Sequence, residues 1–124
     1  MAMVRTFRDL IAWQRSMELA RAIYAATRSM PDSERFGLIN QMRRAAVSIP
    51  SNIAEGHARQ YRADYLKFLR IARGSLAELS TQYELAESMN LIKGQQDLTA
   101  LLQEEDRILQ ALIRGLERKN NSPA

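Results

Sequence analysis

The chain contains no cysteine. Disulfide frameworks, thiolate zinc sites and cysteine nucleophiles are excluded by that alone. Aromatic residues make up only 6% of a sequence that is 46% hydrophobic, so the core must be built from Leu, Ile, Met and Ala, the palette of packed helices. Histidine occurs once. His57 follows Gly56 with no oriented partner and nucleophile beside it, as general acid-base or nucleophilic chemistry would need, and is read as a loop residue. A ligand cluster with metal spacing, a glycine-rich phosphate loop and a Ser-His-Asp set are all missing, so neither a cofactor nor an enzyme is expected. The opening stretch, MAMVRTFRDLIAWQRS, soon acquires charge and reads as neither signal peptide nor membrane span. A soluble cytoplasmic protein without membrane contact is expected, folded as one domain over residues 1–124.

What the chain does have is arginine, 15 of its 18 basic residues, unevenly placed. Residues 1–73 hold 13 basic and 6 acidic groups, whereas residues 74–124 hold 5 and 8. Arginine is favoured where planar, bidentate contact with phosphate matters. A GC-rich genome favours it as well.

Apolar residues recur at three- and four-residue steps in four segments, which predicts an all-α, antiparallel up-down-up-down four-helix bundle. The first helix is expected over about 8–29, with Leu10, Trp13, Met17, Ala20, Tyr24 and Thr27 as its stripe and Thr6 with Asp9 as a capping box. Pro31 breaks it. The second is expected over 33–55, with Asp32 or Ser33 as N-cap and Gly56 ending it in a left-handed conformation. The third spans 62–89 with Asn90 as its C-cap, and the fourth spans 95–118 along Leu98, Leu101, Leu102, Leu109, Leu112, Ile113 and Leu116. Residues 120–124 are expected to be disordered. Glu104, Glu105 and Asp106 read as a solvated acidic face. Trp13, Tyr24, Tyr61, Tyr65 and Tyr83 fall in apolar stripes and are expected in the core, which leaves base-specific stacking unsupported.

Two sets of residues carry the candidate sites. On the second helix Gln41, Ser48, Asn52 and Glu55 share one narrow sector, with Arg44 beside them. Buried polar groups cost about 1–3 kcal/mol each when unpaired, so this stripe needs partners. Structurally, it is a hydrogen-bond network with Ser75 and Glu78 on the third helix, where Gly74 lets the backbones approach and Arg44 pairs with Glu55 or Glu78. Functionally, it faces a subunit interface or central channel. Pro50 removes one helix donor and frees the carbonyl of Ala46, which Ser48 or Asn52 could occupy. On the third helix Arg59, Arg62, Arg70 and Arg73 fall in one sector with Lys67 flanking, and Arg43 extends the basic surface. Such a stripe could track a phosphate backbone, or simply solubilise an outer face with Asp64 partly neutralising it.

The run QMRRAAVSIPSNIAEG (Gln41–Gly56), with FRDLIAWQ at Phe7–Gln14, PDSERFGL at Pro31–Leu38 and FLRIARGSLAEL at Phe68–Leu79, resembles the four-helix-bundle family of 23S rRNA intervening-sequence proteins. The resemblance covers roughly residues 7–118. It implies a ring-shaped homo-oligomer, a pentamer, and a related branch, the accessory variability determinant of diversity-generating retroelements, binds nucleic acid and a reverse transcriptase. Tyr61 stands where the family has a serine opening the third helix, leaving that start to be docked by the ring or held less firmly. The implied partners are therefore other copies of the chain, RNA or DNA, and a protein such as a reverse transcriptase. The leading functional expectation is electrostatic nucleic-acid binding by an arginine-rich face, as an accessory factor. The competing one is a structural or adaptor oligomer that binds a protein, its basic face incidental.

Overall fold

The computed structural model describes residues 3–92 and 98–120. Among them are four helices and no strand: α1 (Ile11–Thr27), α2 (Leu38–His57), α3 (Arg62–Ser88) and α4 (Thr99–Asn120). The expected start of the fourth helix at residue 95 and residues 121–124 of the expected tail lie outside the described residues, while Asn120, assigned to that tail, is the last residue of α4.

Helix ends differ from expectation for identifiable reasons. The Thr6–Asp9 capping box forms, with Thr6 Oγ1 accepting from the Arg8 amide at 3.1 Å and Asp9 Oδ2 from the Thr6 amide at 3.2 Å, but it opens a single 3-10 turn, Phe7–Asp9. Extended Leu10 then separates that turn from α1. The backbone amides of Arg5 and Thr6 also hold the Asp9 carboxyl below its ordinary range. Asp32 likewise belongs to a 3-10 turn, Asp32–Glu34, and α2 begins later at Leu38. There the Leu38 amide donates to Glu34 Oε1 at 3.3 Å, so Glu34 serves the helix end assigned above to Asp32 or Ser33. Asn90 adopts φ 56°, and the Leu91 and Asn90 amides donate to the Ala86 and Glu87 carbonyls, closing α3 with a Schellman motif. Tyr61 gives α3 no side-chain cap and its ring is 65% exposed, so it does not dock the helix start.

Gly56 does not take a left-handed conformation. It lies inside α2, where an added Cβ would stand 2.7 Å from Phe68 Cβ and 3.2 Å from Tyr65 Cδ1. Its missing side chain is what lets α2 close on α3. Gly74 has no such role, since nothing lies within 4 Å of a Cβ built there.

The core runs along Leu19 and Ile23 of α1, Met42, Ile49 and Ile53 of α2, Leu69, Leu76 and Leu79 of α3, and Leu98 and Leu109 at and in α4. Pro50 sits within α2, where a proline costs about 3 kcal/mol. Its neighbours Ile49 and Ile53 are wholly buried, and each contributes about 1.5–3 kcal/mol by leaving water, which is enough to hold the helix through it. Asn52 Nδ2 donates to the Ser48 carbonyl at 2.8 Å, so it serves that group and not the carbonyl of Ala46. Tyr83 Oη accepts from the Leu98 amide at 3.1 Å and anchors the approach to α4.

Candidate functional site

The α2 polar stripe is divided by the fold. Ser48 Oγ meets Ser75 Oγ at 2.9 Å, and Asn52 Nδ2 donates to Ser48 Oγ at 2.9 Å, which joins α2 to α3 as the network reading requires. Gln41, Arg44, Glu55 and Glu78 are exposed and stand outside it. Glu55 pairs with Arg59 at 3.0 Å, and Glu78 accepts from Gln82 Nε2 at 3.2 Å, so neither takes the expected bond with Arg44. The stripe's sector straddles the α2–α3 boundary, and only its inner edge reaches the neighbouring helix.

The α3 arginines are not a free row of charge. Arg70 reaches Glu117 at 2.7 Å and Arg73 reaches Asp106 at 2.9 Å, both on α4. Arg59, expected on the third helix, lies instead in the connection between α2 and α3, where it pairs with Glu55 and lies over the Phe68 ring, 4.8 Å from its centroid. Acids from α4 and α2, rather than Asp64, neutralise the stripe. Arg62 and Lys67 are exposed on the same helix. These pairs are open to solvent, where each contributes about 0.2–1 kcal/mol, so their main consequence is to occupy the guanidinium groups. Arg15 is occupied too, by Glu18 at 3.0 Å and by Glu104 at 3.1 Å, and both acids raise its pKa.

Among the described residues, the arginines with no carboxylate in ion-pair reach are Arg5, Arg8, Arg21, Arg28, Arg35, Arg43 and Arg44 in the first half of the chain, and Arg107 and Arg114 on α4. Several lie against aromatic faces. Arg8 is 4.5 Å from the Phe7 centroid, Arg35 5.4 Å from that of Phe36, and Arg43 4.6 Å from that of Tyr24. Arg43 is further fixed by donating from Nε to Thr27 Oγ1 at 2.9 Å.

Beside Tyr24 runs a groove between α1 and α2, floored by Trp13, Met17, Ala20, Val47, Pro50 and Ala54 and edged by Arg21 and Arg28. No carboxylate lines it. The stripe expected to be the core face of the first helix is in large part this groove. Burial follows Ala12, Ser16, Leu19, Ala20, Ile23 and Thr27, so Ala20 and Thr27 of the expected stripe are in the core, while Trp13 and Met17 are half-buried and Tyr24 is exposed. Tyr24 is 38% exposed, against the core position expected of it. Of the other aromatics, Tyr83 is buried, while burial of the Tyr65 ring pushes its hydroxyl up to about 12.

Glu105 overturns the reading of residues 104–106 as a solvated face. It is wholly buried, and neither carboxyl oxygen has a hydrogen-bond partner among the described residues. Desolvation, with a smaller contribution from Glu104, pushes its pKa up to about 9, so it is held as the neutral acid at pH 7. A signal was available: Leu98, Leu102, Glu105, Leu109 and Ile113 keep one helical line. His57 closes α2, half-buried, with its ring edge-on to Tyr65 at 5.6 Å, and so is not a loop residue. Among the described residues no three metal-ligating side chains come together, and no helix is long and apolar enough to cross a membrane.

Compared with known proteins, the chain matches over residues 8–114 the family model described as 23S rRNA-intervening sequence protein. None of the curated proteins matches it.

Proposed function

The chain belongs to the 23S rRNA-intervening sequence protein family, and from that premise we propose that it is a non-enzymatic, cytoplasmic bundle that assembles into a ring and binds RNA or DNA electrostatically. The observation that carries this reading is the set of arginines without a carboxylate partner, above all the adjacent Arg43 and Arg44 on α2. Arg43 donates only to the neutral Thr27 hydroxyl and Tyr24 carbonyl, and a phosphate is drawn to positive charge that no acid neutralises. The α3 arginines Arg70 and Arg73 fail that condition, which moves the proposed site from α3 to the α1–α2 side.

An up-down-up-down order is supported by the packing of α1 on α2 and α4, and of α3 on α2 and α4. It is also supported by partner numbers that run in opposite directions, as in Ser48 with Ser75 and Gly56 with Phe68. Ring assembly, with five copies as the family resemblance implies, would multiply the positive field around one nucleic-acid strand. The same ion pairs that remove Arg70 and Arg73 from the site favour a second reading, an adaptor oligomer whose partner is a protein.

The two are separated by fluorescence anisotropy of labelled structured RNA and duplex DNA. Under the nucleic-acid reading, R43E/R44E weakens binding at least tenfold, whereas R70E/R73E weakens it much less. Equal losses from both variants would return the site to α3, and no binding by the unaltered oligomer would leave the adaptor.

A further inference from the structure

We propose that the groove between α1 and α2 receives the outer face of α3 from a second copy of the chain. This rests on the ring-assembly reading and says which surfaces make the ring. The groove is an apolar trough with Tyr24 38% and Val47 44% exposed, edged by Arg21 and Arg28 and lined by no carboxylate. α1 buries one of its two apolar lines in the core and leaves the other facing this trough. A helix with two such lines is suited to two neighbours.

The matching surface is on the same chain. Along the outside of α3, Leu85 is 49% and Met89, its C-cap, 55% exposed. On a helical projection Leu85 and Thr81 are flanked by Glu78 on one side and Glu84 on the other. Residues 74–92 contain three glutamates and no lysine or arginine. One face therefore presents Leu85 between acidic shoulders with Met89 just beyond Glu78, and the other an apolar trough with basic rims. The α3 surface fits within the trough, since Trp13 to Arg28 spans about 22 Å and Glu78 to Met89 about 17 Å at the helical rise. The two surfaces are different, so their union is heterologous, the type of contact that closes into a ring or continues as a filament.

Light-scattering mass and cysteine crosslinking test the arrangement. R21E/R28E and E78K/E84K are each expected to fall to monomer mass at a concentration where the unaltered chain keeps its oligomer, and their equimolar mixture, in which only unlike chains present opposite charges to each other, to rise above monomer mass. Because the chain has no cysteine, single Val47→Cys and Leu85→Cys variants can be mixed under mild oxidation without background. A disulfide-linked dimer joining the two variants, in the mixture alone, is expected. If the charge-reversed chains keep the unaltered mass and no such dimer forms, this interface is wrong while the oligomer stands. If the unaltered chain is itself monomeric, both the interface and the ring reading fall.

Discussion

Replacing Glu105 by leucine should stabilise the bundle at pH 7 by about 3 kcal/mol and remove a pH dependence that the native chain carries. The magnitude follows from linkage. The carboxyl titrates from its ordinary 4.5 when the chain is unfolded but is pushed up to about 9 in the fold. Between those values the unfolded state binds fewer protons than the native state, so stability falls as pH rises, by about 1.36 kcal/mol per pH unit at most. From pH 4.5 to pH 7 that amounts to about 3 kcal/mol, and it stops growing above pH 9. Asp9 acts in the opposite sense at the acid end, because its lowered pKa contributes stability that is lost as pH falls through the folded value. Subtracting the variant from the native chain isolates Glu105. Leucine also removes two buried oxygens that have no hydrogen-bond partner among the described residues. The assay is urea unfolding followed by circular dichroism at pH 5, 6, 7 and 8 for both chains. A difference that widens steadily from pH 5 to pH 8 is expected. A difference independent of pH, or a destabilised leucine variant, would show that the carboxyl is ionised in the fold and paired.

Gly56→Ala should destabilise by about 1–2 kcal/mol in urea titration, because the added methyl would meet Phe68 Cβ at 2.7 Å, and overpacking there outweighs the roughly 1 kcal/mol that alanine gains in helix propensity. Asn52→Ala removes the bonds to the Ser48 carbonyl and hydroxyl and should lower stability by about 1–2 kcal/mol, with the mass of the assembly unchanged by light scattering. Arg70→Ala with Arg73→Ala should cost about 0.2–1 kcal/mol per ion pair in thermal unfolding at low salt, a loss that shrinks as salt is added.

Helix number and most of the core were legible because burial follows a 3.6-residue period, and leucine and isoleucine mark it clearly on α2 and α3. On α1 the same signal was right only in part. Ala20 and Thr27 of the expected stripe enter the core, but the larger Trp13 and Met17 are half-buried and Tyr24 is exposed, while small Ala12 and Ser16, outside the stripe, are buried. Periodicity also could not say whether an arginine is free. Arg59, Arg70 and Arg73 were placed in one sector, yet their availability depends on Glu55, Asp106 and Glu117, none of which lies on α3. Gly56 was recognised as special, but chain curvature and close approach leave the same mark in a sequence. Glu105 was hidden by the acids on either side of it, although its register with Leu102 and Leu109 placed it on the buried line.

The most direct test of the account is the salt dependence of binding to labelled structured RNA and duplex DNA, read by anisotropy between about 50 and 200 mM salt, with mass determined on the same samples. Free arginines meeting about five phosphates predict a slope of log K against log salt on the order of −4 for duplex DNA, carried by an oligomer. Affinity that does not change with salt, or no binding at the lowest salt by a well-formed oligomer, would contradict it.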